Sequence, residues 1–321
     1  MIVLGVSAFF HDSAVCFVNE NGIMFACQEE RYTRQKHDAS FPINALKAGL
    51  RYLNLQAEDV SKIAFYENPT KKINRTIKNF SYAKIRDFDF FSEFIHNYQS
   101  ETSIKKVFYN ALTPLGFSPH VINDLDFHDH HLSHAASAFF PSRLGDAAII
   151  TIDGVGELET TQIFEGKHNS IKSLYAIQYP HSLGLLYSAF TQLLGFKVNS
   201  GEYKVMGLAP YGEPRFVDKI KSNIVETRHD GSFWLNMDYF KFMSGREMVS
   251  PLLGNLFGVP HRSSESNLEQ VHMDIAASLQ KVTEEIVVNI ARFSRQETGL
   301  KNLCLAGGVA LNCVANGSLA K

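Results

Sequence analysis

Residues 146–166 read DAAIITIDGVGELETTQIFEG. The apolar run at 146–153 predicts one strand, the segment at 159–166 predicts a second, and the glycines between them indicate a tight turn. SIKSLYAIQY at 170–179 predicts a third strand. This order is typical of an antiparallel meander. Its Asp-Gly-x-Gly turn would let the backbone N–H groups of Gly154 and Gly156 approach a phosphate closely.

The same plan occurs nearer the N-terminus. Three strands are predicted at 2–8, 13–19 and 23–30, followed by a helix at 42–55 and a strand at 62–67. The second meander is followed by a helix at 182–194, a helix near 270–297 and a strand at 303–308. A meander, helix and strand that occur twice predict an α/β fold of two duplicated lobes with mixed sheets. This is the ribonuclease-H-like plan of actin-like ATPases, sugar kinases and Hsp70 ATPases, in which nucleotide binds between the lobes.

We place the first lobe at 1–145, with a helical insertion near 70–120 and a histidine-rich helix after it. The second lobe is placed at 146–321, with an insertion near 215–265, and is expected to be C-terminally incomplete. The long helix at 270–297 has an apolar stripe, which predicts core packing or an interface rather than a cofactor site.

Composition excludes several classes of protein. The net charge of −2 gives no polyelectrolyte signature, so nucleic acid is not expected as an obligate partner. The N-terminus lacks a basic region before its apolar residues, and no run approaches the length of a membrane span. The four cysteines are predicted to be reduced thiols, which favours a cytoplasmic protein.

A histidine-rich segment, FHDHHLSHAASAFFP, occupies 127–141. His130 and His134 are four residues apart, so on a helix they project from one face and can bind one divalent metal ion. Asp153, at a predicted strand end, is a natural third ligand. His128 and His131 point elsewhere on such a helix. The alternative is that these histidines are merely solvated, partly buried or capping side chains.

Three further segments are candidates for ligand binding. LAGGVALN at 305–312 places Gly307 and Gly308 in a strand-to-helix turn where an adenosine could pack against backbone, although such a turn is often only structural. Lys36, with Arg31, could hold a phosphate, or belong to a solvated charged face. Lys204 lies among glycines and small apolar residues, which favours a functional cation over a structural lysine.

Six ordered segments together resemble a known family. They are SAFFHDSAVCFV, EERYTRQKHDASFP, DHHLSHAASAFFPS, IDGVGE, SGEYKVMGLAPYG and LAGGVALNCVANG. The chain resembles O-carbamoyltransferases of the nodulation-protein U and cephamycin or tobramycin carbamoyltransferase type. The resemblance implies an actin-like, Kae1-like domain. In the family a second, YrdC-like domain follows it and forms carbamoyladenylate, and no segment here resembles that domain.

The resemblance also implies a reaction. Carbamoyl phosphate and ATP yield carbamoyladenylate, and the actin-like domain moves the carbamoyl group to a hydroxyl of a sugar, an antibiotic or a nodulation-factor-like acceptor. It implies that His130, His134 and Asp153 bind Fe(II) or another divalent metal, with a further aspartate ligand beyond Lys321. His11 is then the candidate base or substrate-orienting group, with a merely polar turn residue as the alternative, and Lys204 is a second catalytic residue. The expected nucleotide-binding residues are Gly154, Gly156, Glu157, Gly307, Gly308, Asn312 and Lys36.

Two other functions stay open. The chain could be a metal- and nucleotide-binding fragment without activity alone, or an ATPase or phosphotransferase on the same fold. The second alternative predicts a catalytic aspartate with Mg²⁺ and no histidine pair, so the histidine-rich segment argues against it. Expected partners are the small-molecule hydroxyl acceptor and a separate chain that supplies the missing half, and a homodimer is a further expectation.

Overall fold

The computed structural model describes residues 1–83, 100–243 and 247–320. Contacts divide the chain into two compact units. The described residues of Met1–Asn74 and Ile95–Ser133 form the first unit, and those of Arg75–Phe94 and His134–Lys321 form the second. The division falls within two helices, so each of those helices contributes to both units.

The first unit is built on a five-stranded mixed sheet with the order β3-β2-β1-β4-β5. The first three strands form the predicted antiparallel meander, and β4 then pairs parallel with β1. The strands are β1 (Ile2–Ser7), β2 (Ala14–Asn19), β3 (Gly22–Gln28), β4 (Val60–Phe65) and β5 (Asp126–Phe127). Buried residues alternate along β1, β2 and part of β4, which is the period of two that one buried sheet face requires.

The first unit also contains helices. They are α1 (Glu30–Thr33), α2 (Ile43–Leu53), α3 (Pro69–Ala83), α4 (Glu101–Leu112) and α5 (Pro119–Asn123), and α3 is one of the two shared helices. The buried carboxylate of Glu29 accepts the backbone N–H groups of Asn44 and Ala45 at 3.1 and 2.8 Å. It therefore satisfies N–H groups that have no partner inside α2. In α2, a Cβ on Gly49 would lie 2.5 Å from the Phe17 ring, so glycine lets the helix approach the sheet.

The second unit is built on a four-stranded sheet with the order β11-β6-β7-β8. β6 (Asp146–Ile152), β7 (Glu159–Lys167) and β8 (Ser170–Gln178) form the predicted meander, and β11 (Leu303–Ala306) pairs parallel with β6. Six of the seven residues of the central strand β6 are buried. β8 lies at an edge and is largely exposed. A separate ribbon is formed by β9 (Val225–Thr227) and β10 (Phe233–Leu235).

A long helix crosses the core of the second unit. The predicted stripe Ile275, Leu279, Val282, Ile286 and Ile290 is buried in it, which confirms core packing. The helices are α6 (His130–Ser142), α7 (Leu183–Leu193), α8 (Glu202–Leu208), α9 (Val217–Asn223), α10 (Pro251–Phe257), α11 (Gln270–Thr298) and α12 (Cys313–Leu319). Of these, α6 is shared between the two units. Helix α11 ends at Gly299, whose φ of +67° is a left-handed conformation that glycine adopts without strain.

The two sheets repeat one topology. In each, a three-stranded antiparallel meander is extended by a strand parallel to its first member. The predicted α/β fold of duplicated lobes is thereby confirmed. The described part of the insertion predicted near 70–120 contains α3, α4 and the start of α5, and that of the insertion predicted near 215–265 contains α9, β9, β10 and α10. Residues 84–99 and 244–246 of these insertions lie outside the described residues. No helix among the described residues is long and apolar enough to cross a membrane.

Candidate metal centre

The histidine pair lies on one helix, as predicted. His130 begins α6 and His134 follows one turn later. The start of this helix is held by Ser133, whose hydroxyl donates to the carbonyls of Asp129 and Tyr66, both at 3.1 Å. Since Tyr66 directly follows β4, the carboxyl end of that strand fixes the first turn of α6.

Asp153 directly follows β6 in the second unit. Its Oδ2 lies 2.9 Å from Nε2 of His134, which is in the same unit. Its Oδ1 accepts the N–H of Gly154 at 2.7 Å and, more weakly, that of Gly308 at 3.4 Å. The carboxylate is therefore oriented by backbone donors on one oxygen and presents the other to the imidazole.

Glycines allow this close arrangement of backbone. Gly307 follows β11 with a φ of +91°, and a Cβ there would lie 2.4 Å from the carbonyl oxygen of Ile152. Gly184 lies in the first turn of α7, where a Cβ would be 2.6 Å from both the Asp153 oxygen and the Gly154 nitrogen. Both positions need glycine, because the backbone of Ile152 lies within contact distance of Gly307 and that of Asp153 and Gly154 lies within contact distance of Gly184.

Ser182 ties α7 to the same turn. Its hydroxyl donates to the Gly154 carbonyl at 2.6 Å and accepts the Leu185 N–H at 3.0 Å, which caps the helix. Ser182 was not among the predicted site residues. The available signal was a serine directly before an apolar helix, which is typical of an N-cap.

The donor set suits a transition metal. His130, His134 and Asp153 each offer one ligand atom, and these atoms all lie within 4.8 Å of one another. All three side chains are partly buried. Metal–ligand bonds of about 2.1 Å place neighbouring ligand atoms about 3 Å apart, and the distance between His134 and Asp153 is close to this. Two imidazole nitrogens and one carboxylate oxygen are the ligands of many Fe(II) sites.

A family model described as carbamoyltransferase N-terminus matches residues 2–321. The chain belongs to this carbamoyltransferase family. It is 48% identical over 319 residues to the uncharacterized protein sll1178 of Synechocystis sp., covering 99% of the chain and 52% of that protein. It is 33% identical over 317 residues to the nodulation protein NolNO of Sinorhizobium fredii, covering 98% of the chain and 42% of that protein. The chain thus spans about half the length of these two curated relatives.

One solved structure with a similar arrangement is component A of (R)-2-hydroxyglutaryl-CoA dehydratase from Acidaminococcus fermentans. It aligns with a TM-score of 0.45 at 12% identity, over 99% of this chain and 87% of that one.

The predicted nucleotide-binding residues of the second unit differ in their hydrogen bonds and burial. The N–H of Gly154 donates to Asp153, and that of Gly156 donates to the Glu159 carbonyl at 2.9 Å. Glu157 is buried. The Asn312 amide exchanges hydrogen bonds with Gln280 at 2.9 and 3.1 Å and caps α12 by accepting the Ala315 N–H. The hydrogen bonds of Gly154, Gly156 and Asn312 stabilise the loops in which these residues lie.

Lys204, Lys36 and His128 lie at the surface. Lys204 is exposed on α8, with its Nζ 5.9 Å from the centre of the Phe196 ring. Lys36 is exposed in the first unit, between α1 and α2. His128 is exposed beside the start of α6, whereas His131 is buried. The roles of Lys36 and Lys204 remain predictions.

His11 lies in the turn between β1 and β2 of the first unit and is 44% exposed. That turn is held by segment 37–39, because Phe9 N–H donates to the Ala39 carbonyl and Ser13 N–H donates to the Asp38 carbonyl, at 2.8 and 2.9 Å. The exposed imidazole is thus carried on an anchored turn, which suits a residue that meets a small molecule.

Arg75 is a residue that the sequence reasoning did not select. Its guanidinium donates to the Gly156 carbonyl and lies 5.9 Å from the centre of the Tyr179 ring, all within the second unit. The basic character of the predicted insertion was the available signal. The arginine places a permanent positive charge beside the Asp-Gly-x-Gly turn.

Proposed function

We propose that the chain transfers a carbamoyl group from carbamoyladenylate to a hydroxyl group of a small-molecule acceptor. The observation that carries this proposal is the convergence of His130, His134 and Asp153 in a chain of the carbamoyltransferase family. The name of the relative NolNO supports acceptors of the nodulation-factor class. Sugars and antibiotics are the other acceptors that the sequence resemblance implies.

His130, His134 and Asp153 would hold a divalent ion, of which Fe(II) fits the donor set. When bound, such an ion would supply a Lewis acid that neutralises phosphate charge and polarises the carbonyl group. The chain itself orients the Asp153 carboxylate. Gly154 and Gly308 direct one oxygen of Asp153, and so leave the other available as a ligand.

His11 is the proposed base. The acceptor oxygen forms a bond to the carbamoyl carbon, and the bond from that carbon to the phosphate oxygen breaks. AMP leaves with the bonding electron pair, and the acceptor proton passes to Nε2 of His11. The products are the carbamoylated acceptor, AMP and a protonated imidazole.

Carbamoyladenylate would come from carbamoyl phosphate and ATP in another part of the enzyme. This is part of the proposal because the chain spans about half the length of its curated relatives. The same observation favours the second candidate function, a metal- and nucleotide-binding chain that is inactive unless a separate chain supplies the other half. A homodimer and a cytoplasmic location also belong to the proposal, and the four free cysteines support the location.

Metal analysis of two variants tests the centre. We expect the chain with both His130→Ala and His134→Ala to lose its bound divalent metal, because one carboxylate alone is a weak site for it. His128→Ala is the matched control, since His128 is an exposed imidazole beside the same helix and should leave metal content unchanged. Unchanged metal stoichiometry in the double variant would overturn the centre and the function built on it.

A further inference from the structure

Asp12 contacts two histidines in the first unit. Its Oδ2 lies 2.8 Å from Nδ1 of His11, and its Oδ1 lies 3.0 Å from Nδ1 of His37. An ionised carboxylate has only acceptors, so each Nδ1 that faces it must carry the hydrogen. The neutral imidazole of His11 then keeps its lone pair on Nε2, the atom that a base uses.

The surroundings of His37 restrict its tautomer more strongly than those of His11 restrict the tautomer of His11. Nε2 of His37 is buried and has no hydrogen-bond partner in the part of the chain that the structure describes. A hydrogen on this atom would be a buried donor without an acceptor, which is unfavourable. His37 therefore favours the hydrogen on Nδ1 and donates it to Asp12.

Backbone strain is concentrated at the same place. Phe9, Asp12 and His37 all have left-handed backbones, with φ of 76°, 53° and 59°. Such conformations are costly for residues other than glycine and persist only where the surrounding structure enforces them. Here the enforcing contacts are the hydrogen bonds from Phe9 and Ser13 to segment 38–39, and one from the His37 N–H to Glu30 at 3.0 Å.

We infer that Asp12 is a positioning residue for His11, and that His37 positions Asp12 in turn. This inference rests on the proposed function, in which His11 accepts the proton of the acceptor hydroxyl. Asp12 fixes the tautomer of His11 and stabilises its positive charge once the proton has arrived, as the carboxylate does in a Ser-His-Asp triad. His37 occupies the second oxygen, so the carboxylate cannot rotate away from His11.

The variant Asp12→Asn separates the two histidines. An amide offers one acceptor oxygen and one donor nitrogen, so it can accept from only one imidazole Nδ1–H. Because no described residue accepts a hydrogen from Nε2 of His37, the amide oxygen should face His37 and the NH₂ group should face His11. His11 is then expected to change to the tautomer with its hydrogen on Nε2, while His37 keeps its own.

Nitrogen-15 NMR of the histidine-labelled chain reads these tautomers directly. His11→Gln and His37→Gln variants assign the two signals among the 13 histidines. Asp38→Asn is the matched control. It is an aspartate in the same anchored region whose carboxylate accepts hydrogen bonds from Ser40 and Thr33 and contacts no imidazole of the described residues, so both tautomers should persist.

A switch at His11 alone in Asp12→Asn, and none in Asp38→Asn, supports the inference. An unchanged His11 in Asp12→Asn, or the same switch in both variants, overturns it. In a transfer assay, Asp12→Asn should lower kcat by about 10²–10⁴-fold with little change in KM, since a misdirected base loses its catalytic contribution. A tautomer switch with full transfer activity would instead contradict the proposed role of His11.

Discussion

At the scale of single residues, the candidate centre depends on backbone atoms as much as on its ligands. Asp153 is held by the N–H of Gly154, and Gly184 allows α7 to pass beside both residues. Neither contact is visible in a motif, because each depends on two segments meeting in space. The pair His130 and His134 was predictable for the opposite reason, since helical periodicity alone brings them to one face.

Gly184→Ala tests this backbone contact. The added Cβ would lie 2.6 Å from the Asp153 oxygen, so the helix or the turn must move. We expect a loss of about 1–3 kcal/mol in the free energy of unfolding, as for other overpacked sites, together with weaker metal retention. Urea unfolding measures the first effect and metal analysis the second.

Gly207→Ala is the control for that change. Gly207 is also in a helix, but nothing lies within 4 Å of a Cβ there. Alanine should raise the stability by up to about 1 kcal/mol through its better helix propensity. Equal effects of the two substitutions would show that crowding at Asp153 is not what requires glycine at position 184.

At the scale of secondary-structure elements, local patterns predicted most of the fold. Strands expected at 146–153, 159–166 and 170–179 are observed at Asp146–Ile152, Glu159–Lys167 and Ser170–Gln178. The helix expected near 270–297 is observed at Gln270–Thr298. The two-residue strand β5 was not predicted, because so short a strand has no periodicity and exists only through pairing with β4. Contacts such as His37 with Asp12, separated by 25 residues, were equally invisible.

Asp274 links helix α11 to the segment that precedes α9. This buried carboxylate accepts hydrogen bonds from the Glu213 N–H at 2.9 Å and from Gln270 at 2.8 Å, and pairs with Arg215 at 2.7 Å. Burial raises the pKa of Asp274, but these hydrogen bonds and the positive charge of Arg215 outweigh it, so the pKa lies below its usual value. A carboxyl whose pKa is lowered on folding stabilises the fold at neutral pH. That contribution is lost as pH falls through the folded-state value.

Asp274→Ala should therefore lower the free energy of unfolding by about 1–3 kcal/mol at pH 7, since it removes the acceptor of several donors. The difference between wild type and variant should shrink progressively below about pH 5. Urea unfolding across this pH range measures it. Glu247→Ala is the control, because Glu247 forms an exposed pair with Lys241 and should change stability by less than about 1 kcal/mol. A difference that is constant with pH would show that Asp274 does not act through its charge.

At the scale of the whole molecule, the repeated sheet topology is the property that the sequence revealed most fully. Two meanders, each extended by a parallel strand, could be inferred from the order of local patterns without any contact being known. The arrangement of a reaction centre needs atomic distances, which such patterns do not contain. The duplicated fold could thus be predicted from the sequence, whereas the orientation of Asp153 and His11 became apparent only in the structure.

The activity that the chain has alone is also a property of the whole molecule. The family model that matches residues 2–321 describes the N-terminal part of carbamoyltransferases, and the chain spans about half the length of the curated relatives sll1178 and NolNO. We therefore expect the purified chain to bind ATP or ADP weakly but to show no carbamoyl-phosphate-dependent exchange between ATP and pyrophosphate. A longer carbamoyltransferase that contains both halves is the positive control for the assay. Exchange by this chain, abolished by His134→Ala, would contradict the prediction and assign adenylate formation to the same residues that we propose for transfer.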